Sequence, residues 1–296
     1  MPFNFPEMWL KRVIHNLDNT DKASFLDGVS ELDVDVTQIN EGQLSEQNKI
    51  YVAKTDFAVD VLINFTGPYP ITVQDYSDDT IEITLDKYQT RVTSVTDDII
   101  VGASYNKIDS ATRAHVHAIA SKKFKKAIHN IAPAATATAT PVHACTNAGK
   151  MTYADLVTFK QKCDDAGFDA DVIRLVLSPK HWNDLLLDRD RFADLLINYA
   201  AGKPAPLVAG FELHRYAGNP YYTTSGAKVG FGTTPVGTDR QASVAFVKEA
   251  IAKKTGLTKQ YFSPSGTDPK NQANLLNYRH YFVALPFQAR QIGAMM

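Results

Sequence analysis

The chain has 296 residues, 44% of them hydrophobic and 21% charged, with a formal net charge of -1, which is the balance of an ordinary globular protein of one large or two smaller domains. Near-neutrality excludes a global field that steers the chain onto nucleic acid or an anionic membrane, while leaving room for a local basic patch. Two cysteines, Cys145 and Cys163, are too few for a disulfide framework and lack the flanking ligands of a zinc site. No apolar run approaches the roughly 20 residues that cross a bilayer. Polar residues interrupt MPFNFPEMWLKRVIHNL, so a signal peptide is not expected and cytoplasmic synthesis is the reading.

From Met1 to about Asn48 the pattern is that of an extended arm with one short helix. Trp9, Leu10, Val13, Ile14 and Leu17 form an amphipathic stripe, and Leu32, Val34 and Val36 alternate with polar residues as in a strand. From Lys49 to about Val95 the chain is β-rich: Ile50 and Val52 alternate, as do Ile81, Ile83 and Leu85. Between them, Gly67-Pro68-Tyr69-Pro70 and Asp75-Tyr76-Ser77-Asp78-Asp79 are turn-forming. A surface meander and a long projecting hairpin both fit.

Ile108 to Ile131 is the clearest helix, with Val116, Ala120, Phe124, Ala127, Ile128 and Ile131 on one face. Lys122, Lys123, Lys125 and Lys126 crowd its later part, where cations suit the negative end of the helix dipole. The run Ala134 to Pro141 reads as a linker or a draped connection. Thr152 and Asp155 outline a capping box for a second helix that Gly167 ends.

Val172 to Tyr216 reads as strand, capped helix, polar loop and strand. Ile173, Leu175 and Leu177 alternate with Arg174 and Val176. Ser178-Pro179 supplies an N-cap and a proline at the first helical position, and Trp182, Leu185 and Leu186, extending to Phe192, Leu195 and Leu196, follow at helical spacing. Gly210-Phe211-Glu212-Leu213 restarts a strand. Ala217 to Gly237 suits strands and tight turns. Ala242 to Gly256 fits one continuous helix or, preferably, a strand leading into a short helix. Tyr278 to Phe287 is strand-like.

No constellation for catalysis emerges. His115 and His117 stand two apart on a helix, about 200° from each other, and cannot share a metal. Asp33-Val34-Asp35 and Asp188-Arg189-Asp190 have carboxylate spacing that chance also produces, without further oxygen ligands. There is no G-x-G-x-x-G, no phosphate loop and no G-x-S-x-G elbow. The lysine cluster is first a solvated helix face and only second a nucleic-acid contact. No catalytic, cofactor-binding or metal-ligating residue is therefore nominated, and no cofactor is expected.

The segments VLSPKHWNDLLLD (Val176 to Asp188), LVAGFELHRYAGNP (Leu207 to Pro220), ASVAFVKEAIA (Ala242 to Ala252) and YRHYFVALPFQARQIGAM (Tyr278 to Met295), with the order of elements around them, resemble the major capsid proteins of tailed bacteriophages. The resemblance implies the α+β Hong Kong 97-type fold. It implies an N-arm over residues 1-48, an extended E-loop hairpin over 49-97, and a peripheral domain with a long spine helix over 98-145. An axial domain over 146-235 and a return to the peripheral domain over 236-296 complete it. It implies a non-enzymatic virion subunit assembled in the host bacterial cytoplasm, self-assembling through hexamers and pentamers into an icosahedral shell. The expected partners are other copies of the chain, a separate scaffolding protein, a portal and packaged double-stranded DNA at the inner surface, bound without sequence specificity, with no membrane partner. An encapsulin-like compartment shell is the alternative, followed by an unrelated soluble enzyme. On the E-loop, Phe65, Pro68, Tyr69, Ile71 and Tyr76 are the candidate assembly contacts; filling a local β-sheet core is their competing role. The polar stretch Asp188 to Pro206 is a second candidate contact, at capsomer centres.

Overall fold

The computed structural model describes residues 23-33, 37-38, 48-55, 59-67, 69, 71-75, 78-96, 107-147, 149-168, 172-188, 197-198, 203-204, 207-267, 270, 272-287 and 289-296. The chain divides into two compact units, one formed by Met1–Leu32 with Lys87–Met296 and the other by Asp33–Asp86.

The first strands are β1 (Thr37–Gln38), β2 (Asn48–Thr55), β3 (Asp78–Thr84), β4 (Asp86–Gln89) and β5 (Thr93–Thr96), followed by the helix α1 (Lys107–Ile131). Then come β6 (Val142–His143), α2 (Tyr153–Asp165), β7 (Ile173–Leu177) and α3 (Pro179–Leu187). The short strands β8 (Ile197–Asn198), β9 (Lys203–Pro204) and β10 (Leu207–Val208) lead to β11 (Phe211–Arg215), β12 (Tyr221–Tyr222), β13 (Arg240–Gln241) and β14 (Ser243–Phe246). The remainder is β15 (Ile251–Ser263), β16 (Ala273–Pro286) and β17 (Ile292–Met295).

A six-stranded sheet in the order β10-β11-β7-β14-β17-β6 forms the centre of the larger unit. Its two faces are both covered, which explains why all five residues of β7 are buried although the sequence alternates. Ile173, Leu175 and Leu177 meet Leu156, Phe159 and Cys163 of α2, whereas Val176 joins Val244, Phe246 and Ala294 beneath Phe124 and Ile128 of α1. Alternation here sorts residues between two interiors rather than between interior and water.

The helix α1 has the stripe its spacing predicts: Val116, Ala120, Phe124, Ala127, Ile128 and Ile131 are all buried. Its earlier turns carry Val116 and Ile119 onto Leu276 and Tyr278 of a second sheet, in the order β15-β16-β4 with β5 also on β16. Its later turns cover the central sheet. Lys228 finishes the helix by donating to the carbonyls of His129 and Ala132, at 2.8 and 2.6 Å, which satisfies orphan acceptors of the last turn.

The starts of α2 and α3 follow the sequence. Thr152 and Asp155 form a reciprocal capping box, and Gly167 follows the helix at φ 75°. Ser178 accepts from the His181 amide, with Pro179 at the first position. The short helix expected near Ala242 to Gly256 is a single 3-10 turn, Lys248–Ala250. The chain then extends into β15, which pairs with β16 over 11 residue pairs across a register shift between Thr255 and Thr258.

Residues 23-32 belong to the body. Phe25, Leu26 and Val29 enter the main core, and the Arg174 guanidinium donates to the carbonyls of Phe25 and Asp27 while pairing with Glu212 at 2.9 Å. The stripe Trp9 to Leu17, the positions Val34 and Val36, and Phe192, Leu195 and Leu196 lie outside the described residues.

Candidate assembly surface

The smaller unit is built on β1-β2-β3. The strands β2 and β3 run antiparallel from Lys49↔Thr84 to Thr55↔Asp78, with Ile50 opposite Ile83. Both isoleucines are buried, whereas Tyr51 and Glu82 on the alternate face are exposed. Lys49 pairs with Glu82 at 2.6 Å, an exposed interaction that contributes little.

Beyond these strands the pattern inverts. Within residues 59-75, Val61 is 80% exposed, Ile63 83%, Tyr69 78% and Val73 87%. Phe65 and Ile71 are exposed too, so none of the three described candidates (Phe65, Tyr69, Ile71) fills a local core; Pro68 and Tyr76 lie outside the described residues. Phe65 meets Tyr69 edge to face at 5.8 Å. Gly67 permits that fold-back, because a Cβ there would sit 2.7 Å from the Phe65 ring. Asn64 adopts φ 51°, which asparagine tolerates better than most residues, and the Gln74 side-chain oxygen accepts from the Asp60 amide at 3.1 Å. The loop is thus locally organised while its apolar side chains face water. Val59, Val61, Leu62, Ile63 and Val73 extend the patch beyond the nominated residues. Their signal in the sequence is the run VDVLINF ahead of Gly-Pro-Tyr-Pro, apolar but with no partner strand to match it.

The stretch Asp188 to Pro206 is described only at Asp188 and where β8 pairs with β9, Ile197↔Pro204 and Asn198↔Lys203.

The arrangement closest to chemistry is a Ser-His-Asp grouping under α3. Ser243 Oγ and His181 Nδ1 are 2.7 Å apart, the Ser178 amide donates to the same Oγ at 3.1 Å, and Asp184 accepts from the Met151 amide at 3.1 Å. All three side chains are buried, so a substrate has no approach to the hydroxyl. Burial also drives the His181 pKa down to about 4, holding it neutral. The group fastens α3 to β14. Asp155 plays a similar part: burial pushes its pKa up, but hydrogen bonds from Thr146 and Thr152 outweigh that and hold the carboxyl below its ordinary range. His115 is buried and His117 exposed on opposite sides of α1, and no cluster of three metal-ligating side chains occurs among the described residues. Burial pushes both thiols, Cys145 and Cys163, up to about 12, so neither is a nucleophile near neutrality.

The sequence profile of a family described as phage capsid protein matches residues 77-292. The chain belongs to that family. Its architecture agrees: it is similar to the structure from Mycobacterium phage Che8, with a TM-score of 0.60 and 15% identity over 90% of this chain and 93% of that one. The capsid of cyanophage P-SCSP1u gives a TM-score of 0.61 and 14% identity over 91% and 90%. A virus-like particle from Pyrococcus furiosus gives 0.54 and 10% over 97% and 98%. No curated protein matches the chain in sequence. The fold is therefore the α+β Hong Kong 97-type capsid fold, and the chain is a major capsid protein that forms a shell by self-association, with its place in the virion.

Proposed function

We propose that the subunit assembles through hexamers and pentamers into an icosahedral shell around the double-stranded DNA of a tailed phage, and that the apolar loop between β2 and β3, within the E-loop, binds a neighbouring copy. The observation that carries this reading is the water-facing apolar group Val61, Ile63, Phe65, Tyr69, Ile71 and Val73. Burying each such side chain contributes on the order of 1.5–3 kcal/mol, and a patch of this kind on a lone subunit is a liability that a neighbour's surface removes. Pro68 and Tyr76 belong to the same contact. Heterologous contacts of this type close into rings.

The remaining divisions follow the family layout: an N-arm over 1-48, an E-loop over 49-97, a peripheral domain over 98-145 and 236-296 with α1 as its spine, and an axial domain over 146-235. Assembly takes place in the host cytoplasm, with a separate scaffolding protein and a portal as partners, and the subunit performs no catalysis. A compartment shell of the encapsulin kind is the alternative reading, less supported than a phage shell because the family match is to phage capsid proteins. Electron microscopy of the purified protein tests the assembly: capsomers or shells are expected, and their replacement by small monomers in the double variant Ile63→Asp/Val73→Asp identifies the loop as the contact. Shells from that variant would overturn the loop's role. Nuclease-protected DNA in particles from infected cells separates a phage shell from a protein-cargo compartment.

A further inference from the structure

The cations of this chain are not spread evenly. Between Asp109 and Asp155 there is no acidic residue, while Arg113, Lys122, Lys123, Lys125, Lys126 and Lys150 all fall there. Residues 55-86 have the reverse character, with seven Asp or Glu and no Lys or Arg. A net charge of -1 therefore hides two strongly polarised segments.

The helix α1 sorts its own cations. Lys123 is buried, with its ammonium 4.2 Å from the Phe282 ring centre, and Lys126 rests over Phe231 at 4.8 Å. Arg113, Lys122 and Lys125 remain exposed and, with His117, follow one exposed stripe whose other members are Ser110, Ala114, Ala118 and Ser121. No ion pair engages Arg113, Lys122 or Lys125 among the described residues. From Arg113 to Lys125 the stripe is about 18 Å long. Exposed Lys87 and Arg91 flank the same helix across a groove of about 510 Å³ that His115 and Ile119 also line.

Small residues between the cations leave a straight, low surface. The described part of α1 exposes no large hydrophobic side chain, so an apolar partner such as the loop around Val61 gains little on this stripe. A polyanion of regular charge spacing gains much more. Duplex DNA carries one negative charge per roughly 1.7 Å of axis, so the stretch of duplex beside an 18 Å face holds about ten phosphates, of which that face meets a part.

We propose that the exposed face of α1, through Arg113, Lys122 and Lys125, is the surface by which the subunit meets the phosphate backbone of duplex DNA. This assignment rests on the reading of the chain as a shell around DNA. Contact is to phosphate alone, so it carries no sequence preference and weakens with salt.

The test compares unassembled wild-type subunits with Lys122→Gln/Lys125→Gln and with Lys150→Gln/Lys180→Gln, a control pair of exposed lysines off the stripe. Binding of a fluorescent random-sequence duplex is followed by anisotropy across a salt series, with shell assembly checked by electron microscopy. The helix pair is expected to lower the slope of log K against log salt by about 1.8 and to weaken binding by tens of fold near 0.1 M salt, with assembly retained and the control pair close to wild type. Equal weakening by both pairs, or no weakening by the helix pair, overturns the assignment. Unchanged DNA binding with lost assembly in the helix pair also overturns it, and gives the face to the acidic segment of a second copy. Wild-type particles from infected cells that hold no nuclease-protected DNA refute the reading of a shell around DNA, whereas DNA-filled particles whose subunits bind DNA independently of the stripe refute only the placement on α1.

Discussion

In the central sheet, every apolar side chain of β7 has a destination: Ile173, Leu175 and Leu177 in one cluster and Val176 in another. In the loop between β2 and β3, Val61, Ile63 and Val73 are just as apolar and have none. Propensity does not separate these regions, since both are rich in β-branched residues. What separates them is whether the same chain supplies the second surface. The first region encodes the subunit's stability, and the second leaves apolar surface that the subunit's own fold does not cover.

Substitutions distinguish the two, beginning in the body. Phe246→Ala removes a fully buried ring from the main core and is expected to cost about 3–5 kcal/mol, read as a lowered urea midpoint. An unchanged midpoint would disprove the two-faced burial of the sheet.

Acid should act next. His181 falls from 6.5 to about 4 through burial, so the unfolded chain binds the proton first as pH drops. Stability is then constant above the unfolded value of 6.5 and declines as pH falls toward 4, by about 3 kcal/mol for this one group. The His280 pKa, lowered to about 3 by burial and then by Lys123, adds loss in the same direction. Asp155, whose carboxyl lies below its ordinary 3.8, gives way only at lower pH still. Chemical denaturation between pH 7 and pH 4.5 measures this decline, and a flat profile would contradict a neutral, buried His181.

Gly293→Ala comes third. Its Cβ would lie 3.1 Å from the Phe159 ring and 3.2 Å from the Pro141 carbonyl, and backbone cannot step aside, so overpacking of about 1–3 kcal/mol is expected. A thermal melt equal to wild type would show that β6 and β17 yield at this point. The smallest effect on stability belongs to Ile63→Ser, within about 0.5 kcal/mol because the side chain already faces water. The same change should reduce assembly, scored by sedimentation of capsomers and shells. A large loss of subunit stability there would place Ile63 in the body's energetics and erase the contrast.

Local signals in the sequence were faithful wherever the structure is local. Ser178-Pro179, the Thr152/Asp155 box and the α1 stripe rest on neighbours three or four residues away, and each forms as read. The long hairpin was less legible. In Ile251 to Ser263 the register shift near Gly256 breaks the two-residue period, and Lys253, Lys254 and Lys259 mask the strand, so Ala242 to Gly256 reads as a strand leading into a short helix, or as one continuous helix, rather than as the start of a long strand. The sides of Phe65, Tyr69 and Ile71 were equally undecided, because a run of apolar residues does not state which molecule covers it. The grouping of Ser243 with His181 was invisible for a simpler reason: the two residues are 62 apart in sequence and meet only when β14 pairs with β7.

The position of β17 bears on the order of events during synthesis. It lies between β14 and β6, pairing Ala294 with both Val244 and Val142. Contacts this distant in sequence form slowly, and the central sheet closes only when residues 292-295 have left the ribosome. The β2-β3 hairpin needs nothing beyond Thr84 and is available far earlier. Each nascent chain thus exposes its apolar loop well before its body is finished, and polysomes crowd such loops together.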